Sequence, residues 1–161
     1  MSDHPAGLEE ILAAWYTNHR INEYLIDHIS DEGMRCTLSR RGGRNVLRQF
    51  CHLHNVRYWQ LEKRAPDLVE QLYKFATREE PDRAFLKACL ADSTERVARF
   101  FERAVLGTGR ARTHRKGVIT SLSYFIAHES HHRGSILLTL KQCGHSPEQS
   151  VRYAIWDWDR M

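Results

Sequence analysis

Apolar residues recur at three- and four-residue spacing along most of the chain, the period of amphipathic helices. Leu8, Ile11, Leu12 and Trp15 start the pattern, and Ile21, Tyr24, Leu25 and Ile29 continue it, predicting a helix over 8–29 that Asp31-Glu32-Gly33 breaks. A second helix is predicted over 45–64, marked by Val46, Phe50, Leu53 and Leu61 and ended by Pro66. A short helical turn is expected around 68–75. The third helix is read over 81–106, with Pro81 in its first turn and Gly107 past its end. Its stripe is Phe85, Leu86, Cys89, Leu90, Val97, Phe101 and Ala104. The fourth spans 118–143, with Leu122, Phe125, Ile126, His132, Ile136, Leu137 and Leu140 on one face and Gly144 as terminator. Ser146-Pro147-Glu148-Gln149 reads as a capping box opening a short helix over 147–154. The ending Trp156-Asp157-Trp158-Asp159 is aromatic enough to be expected to pack back onto the other helices. No segment alternates as a strand would. The pattern predicts an all-α fold, a four-helix bundle with a short additional C-terminal helix. No repeat or linker divides it, so 1–161 is read as a single domain.

Composition adds limits to this picture. With 42% hydrophobic and 27% charged residues the chain has an ordinary globular balance. No apolar run approaches the roughly 20 residues of a membrane span, and Met1 to Gly7 lacks the apolar region of a signal peptide. A cytoplasmic protein is expected, with its four cysteines reduced and mostly buried, since none forms a CxxC pair. The net charge of +4 comes largely from two clusters, Arg35, Arg40, Arg41, Arg44 and Arg48, then Arg110, Arg112, His114, Arg115 and Lys116. Neither carries interleaved aromatics or a helix-turn-helix pattern, so they read as solvated loops and helix ends rather than a nucleic-acid surface.

The ten histidines carry the candidate chemistry. His4, His28, His114 and His145 fall near termini, helix ends or loops and read as exposed; His19 stands alone in mid-helix. His128 and His132 are four apart, which on a helix puts their rings about 40° apart and roughly 6 Å between Cβ atoms. Both can therefore meet one ion, whereas His131 is turned about 100° from His132. The pair shares the apolar face of Leu122, Phe125 and Ile136, where unpaired imidazoles would be costly to bury. A third ligand is needed for tight binding, and His52, flanked by Phe50 and Leu53, faces inward better than His54. Three neutral imidazoles suit Zn, Ni, Fe(II) or Cu, and leave positions open as in a catalytic site.

The same stretch, His128-Glu129-Ser130-His131-His132, also fits the HExxH pattern of zinc proteases, in which the Glu is a general base. The extended form of that motif fails, because Ser135 and Leu138 stand where Gly and His are required. No strand is predicted to hold a peptide substrate. Glu129 is read instead as supporting the ligands or facing solvent.

Tyr124-Phe125-Ile126-Ala127-His128-Glu129-Ser130-His131-His132-Arg133-Gly134-Ser135-Ile136, running on to Leu140-Lys141-Gln142-Cys143-Gly144, resembles the DinB/YfiT-like superfamily. Cys51-His52-Leu53-His54-Asn55-Val56-Arg57-Tyr58-Trp59 resembles the superfamily's second-helix signature, and the Trp-Asp-Trp-Asp ending is similar to endings found there. The resemblance implies a four-helix bundle, often a homodimer, with a three-histidine site for a divalent metal such as Ni or Zn. Carried over by position, the ligands are His52, His128 and His132. Characterised branches include transferases using bacillithiol, mycothiol or glutathione, and a maleylpyruvate isomerase. The related domain of sulfoxide synthases carries HxxxHxE; here Gly134 stands at the last position, which removes that activity.

Three functions follow as expectations. The first is a metal-dependent transferase joining a low-molecular-weight thiol to a small electrophile. Tyr124 and Asn55 are then candidate pocket residues, and Arg48 or Arg133 candidate partners for a carboxylate. The second is metal-dependent hydrolysis of a small molecule. The third is a non-enzymatic metal-binding or stress-response module. Each has a small-molecule or metal partner and neither nucleic acid nor membrane.

Overall fold

In the computed structural model, which describes residues 7–161, the predicted helices form with small shifts at their ends. The expectations for His4 and the first residues lie outside the described part. The long helices are α1 (Leu8–His28), α3 (Val46–Arg64), α4 (Arg83–Leu106) and α5 (Val118–Gln142), joined by the short α2 (Asp31–Arg35) and α6 (Gln149–Ala154). No strand occurs among the described residues, and none of their helices is long and apolar enough to cross a membrane.

Capping explains where the helices start. Asn45 and Asp82 each accept a hydrogen bond from the backbone N–H three residues on, fixing the first turns of α3 and α4. The cap at Asp82 leaves Pro81 outside α4, which begins at Arg83, two residues after the predicted start. Ser30 does the same for α2, so the predicted break at Asp31-Glu32-Gly33 is instead a two-residue interruption at Ile29 and Ser30 followed by a new helical turn. At the other end of α4, Gly107 takes the left-handed conformation, φ 67°, that glycine adopts without strain. Ser146 caps nothing: α6 begins only at Gln149 and has no side-chain cap. The expected turn over 68–75 is a 3₁₀ turn at Pro66–Val69 followed by irregular chain.

Around the bundle, α1 packs beside α4 and α5, and α3 packs beside the same two helices. α1 and α3 therefore occupy one diagonal. The interior is layered. One apolar cluster gathers Leu25, Ile26, Phe50, Leu53, Leu90, Ile136 and Leu140. Another gathers Trp15, Leu61, Val97, Phe101, Leu122 and Phe125, with the Trp15, Phe101 and Phe125 rings packed edge to face. Between them lies a buried polar belt of Asn18, Asn22, Arg57, Ser93, Thr94, Glu129 and Arg133.

The Arg57 guanidinium, fully buried, donates to both oxygens of Glu129 at 2.7 and 3.0 Å. It also donates to the Leu90 carbonyl, Ser93 and Thr94, and its cationic carbon lies 4.8 Å from the centre of the Trp15 ring. Asn18 and Asn22 donate to the same carboxylate, each at 2.7 Å, and Arg133 donates to Asn22. A buried ion pair persists only when its remaining donors and acceptors are satisfied in this way.

The C-terminal segment packs back only in part. Val151 and Ile155 are buried, and Arg20 donates to the Met161 carbonyl, but Trp156 is 76% exposed and Trp158 39%. Phe85, read as part of the α4 stripe, is also exposed; it stacks edge-on against Tyr73 and Phe75 of the irregular chain rather than entering the core. All four cysteines are free, Cys51 and Cys89 buried and Cys36 and Cys143 half-buried.

Candidate metal centre

α3 and α5 are neighbours, and the three histidines chosen from the sequence face each other across their seam. The ring centres of His52 and His128 are 5.4 Å apart, those of His52 and His132 4.8 Å, and those of His128 and His132 4.7 Å. One potential ligand nitrogen from each lies within 4.8 Å of the other two. Nitrogens bound to one tetrahedral ion at the usual Zn–N length of about 2.0–2.1 Å are about 3.3 Å apart, so small ring rotations suffice to bring these together.

The local chemistry fits an ion. Burial, and then Arg44 and the other two imidazoles, push His52 down to about 4. Burial, and then His128 and His131, push His132 down to about 4 as well, and burial lowers His128. All three rings are thus neutral near pH 7, the form that offers a lone pair. The Nδ1 atom of His132 is buried with no hydrogen-bond partner. A group left in that state costs about 1–3 kcal/mol, a cost that a bound ion would relieve.

His54 and His131 stand apart. His54 is fully buried beneath the irregular chain after α3, its Nε2 2.7 Å from the Tyr73 carbonyl oxygen. His131 is exposed. His114 is half-buried rather than exposed, its ring bonded to Arg64 and Ser121. His19 is buried beside the polar belt.

Glu129 sits between His128 and His132 in sequence but points away from both rings. Both carboxylate oxygens are occupied in the polar belt, by Arg57, Asn18 and Asn22. The residue does not face solvent, and a carboxylate so committed is in no position to serve as the base of an HExxH protease. Tyr124 stacks on His128, ring centres 6.3 Å apart and nearly parallel, and its hydroxyl accepts a hydrogen bond from Gln60. Asn55 lines a cavity beside His52, but its side chain is spent on the backbone of Phe75, donating to the carbonyl and accepting from the N–H.

The sequence model of the DinB family matches residues 1–158. The chain belongs to the DinB family. No curated protein matches it beyond that.

In this DinB-family chain the cavity beside His52 encloses about 250 Å³, walled by Arg44, Arg48, Trp59, Lys74 and Phe75 among others. Sequence reasoning passed over most of these. Arg44 lay in a basic cluster read as solvated, and Lys74 in a segment with no periodicity to orient it. Arg57 carried a signal that went unused. It falls midway between Leu53 and Leu61 at four-residue steps, as Glu129 falls four after Phe125, which puts both charges on apolar stripes.

Proposed function

We propose that this DinB-family protein is a metal-dependent transferase that joins a low-molecular-weight thiol to a small electrophile, with His52, His128 and His132 as the ligands. The observation that carries the reading is the convergence of three neutral imidazoles beside a cavity, with no fourth Cys, His, Asp or Glu joining the group among the described residues. A divalent ion such as Zn or Ni held by three ligands keeps an open position, and its charge lowers the pKa of a thiol brought to it.

The chain's own residues fit the remaining tasks. Tyr124, braced by Gln60, packs on His128, and the edge of Trp59 packs on His52, which restrict how far either ring can turn. Cys51 lines the cavity, but burial pushes its thiol up to about 12, so it stays protonated and unreactive. In this reading the reacting thiol comes from a cosubstrate.

Elemental analysis of purified protein beside His52→Ala tests the site. Near-stoichiometric transition metal is expected in the wild type and a large loss in the variant; equal contents would remove His52 from the site. A panel of thiols and electrophiles tests the activity. Metal-dependent conjugation is expected, whereas hydrolysis without added thiol would replace the transferase reading.

A further inference from the structure

The cavity beside His52 has a charge pattern that the metal site does not need. Three cations line it, Arg44, Arg48 and Lys74, against one carboxylate, Glu79. Arg48 is already committed: it donates to the Gly43 carbonyl and its Nε lies 3.5 Å from Glu80. Glu79 is committed too, accepting from the Tyr73 hydroxyl and the Ala76 N–H. Arg133, the other residue expected to bind a carboxylate, is buried in the polar belt and faces Asn22 and Ser130. Arg44 and Lys74 are different. Neither side chain has a hydrogen bond or carboxylate partner among the described residues, Arg44 being bonded only through its backbone carbonyl to Thr37, and the Lys74 ammonium rests over the Tyr58 and Trp59 rings, 5.1 and 6.0 Å from their centres. Two unspent cations at the wall of a concave site raise the local potential for anions.

Size and polarity narrow the ligand. About 250 Å³ falls just below the usual range of small-molecule sites, about 300 to 1,000 Å³, and suits a small ligand. Trp59 and Phe75 add aromatic surface, and His52 closes one side. We propose that this cavity is a subsite for a small organic acid, its carboxylate held by Arg44 and Lys74, its apolar body against Trp59 and Phe75, and its far end against His52. The inference rests on the proposed function only in making that acid a substrate; the subsite itself does not depend on the metal.

Benzoate and its uncharged counterpart benzamide serve as probes, titrated by calorimetry into zinc-loaded protein and into protein stripped with a chelator. Benzoate is expected to bind about tenfold or more tighter than benzamide, the worth of one charge-assisted hydrogen bond. Arg44→Gln and Lys74→Met, both at exposed positions, should each weaken benzoate about five- to tenfold without changing zinc content, and Arg44→Lys should retain most of the affinity. The preference should survive stripping. Wild-type benzoate affinity in both neutral variants would overturn the subsite. So would affinity that vanishes on stripping yet ignores those variants, because the acid would then be binding the ion alone, with the metal reading left intact. Failure of the wild type to hold zinc, with benzoate still sensitive to Arg44 and Lys74, would sink the transferase reading and leave the subsite standing.

Discussion

Replacing Glu129 with Gln keeps the side chain's shape and removes its charge. Four donors converge on this carboxylate: Nε and Nη2 of Arg57, and the amides of Asn18 and Asn22. A glutamine offers one oxygen, and its NH₂ group confronts donors where an acceptor stood. Arg57, with no exposed surface, is left as a buried cation with no anion to balance it, facing the Leu90 carbonyl, Ser93, Thr94 and at most that one amide oxygen. Removing one partner of a buried pair costs about 3–5 kcal/mol. Against a total stability of about 5–15 kcal/mol that is a large share. For a chain of this size it lowers Tm by about 6–20 °C. The double variant Arg57→Met/Glu129→Met removes both charges and should recover most of the loss, because uncharged residues of similar volume often replace a buried pair at little cost. Urea denaturation of the wild type, the single and the double variant measures all three. A loss below about 1 kcal/mol in Glu129→Gln would refute the reasoning, since it would mean water or relaxation reaches Arg57 more easily than its burial allows. The pair also ties α3 to α5, the two helices that carry the histidines. Zinc affinity should therefore fall in the single variant and return in the double.

The other predictions concern the belt, the cavity wall and the C-terminus. Burial, then Arg57, pushes His19 down to about 3. The unfolded chain, titrating near 6.5, then binds the extra proton first, so stability is full above that pH and falls as pH drops toward 3. Between pH 7.5 and 5.0 in chelator, His19→Gln should lose about 2 kcal/mol less than the wild type, read from denaturation midpoints; parallel profiles would show that His19 does not titrate in that window. Asn55→Ala strands the N–H and carbonyl of Phe75 and should cost about 2–4 kcal/mol, with faster hydrogen exchange over residues 73–77 as the local check. Ile155→Ala should destabilise by about 2–4 kcal/mol, while Trp156→Ser, at an exposed position, should stay within about 0.5 kcal/mol, both measured by thermal melts.

The chain's periodicity determined the four long helices, and it did so because each must bury a stripe at 3.6-residue spacing. The same arithmetic paired His128 with His132, since i and i+4 share a face on any helix. The flanking Phe50 and Leu53 suggested that His52 faces inward better than His54, yet His54 is the fully buried ring and His52 is half-buried at the seam. That it meets the other two depended on α3 packing beside α5 rather than across from it, which no local pattern encodes. The role of Glu129 was open for a related reason: one step along a helix turns a side chain by about 100°, and only the position of Arg57 on the neighbouring helix decides what it finds there. Helix starts were settled by caps, Ser30 and Asp82 taking up backbone N–H groups where composition suggested other boundaries. The cavity beside His52 was illegible, because Lys74 and Phe75 lie in chain without a period. They are held in place by bonds from His54 and Asn55, between residues about twenty positions apart. The sequence by itself supplied the three candidate histidines and the helices that carry them. The meeting of those side chains, and the charges that surround them, came from contacts between distant segments, where burial and pairing rather than local propensity set the outcome.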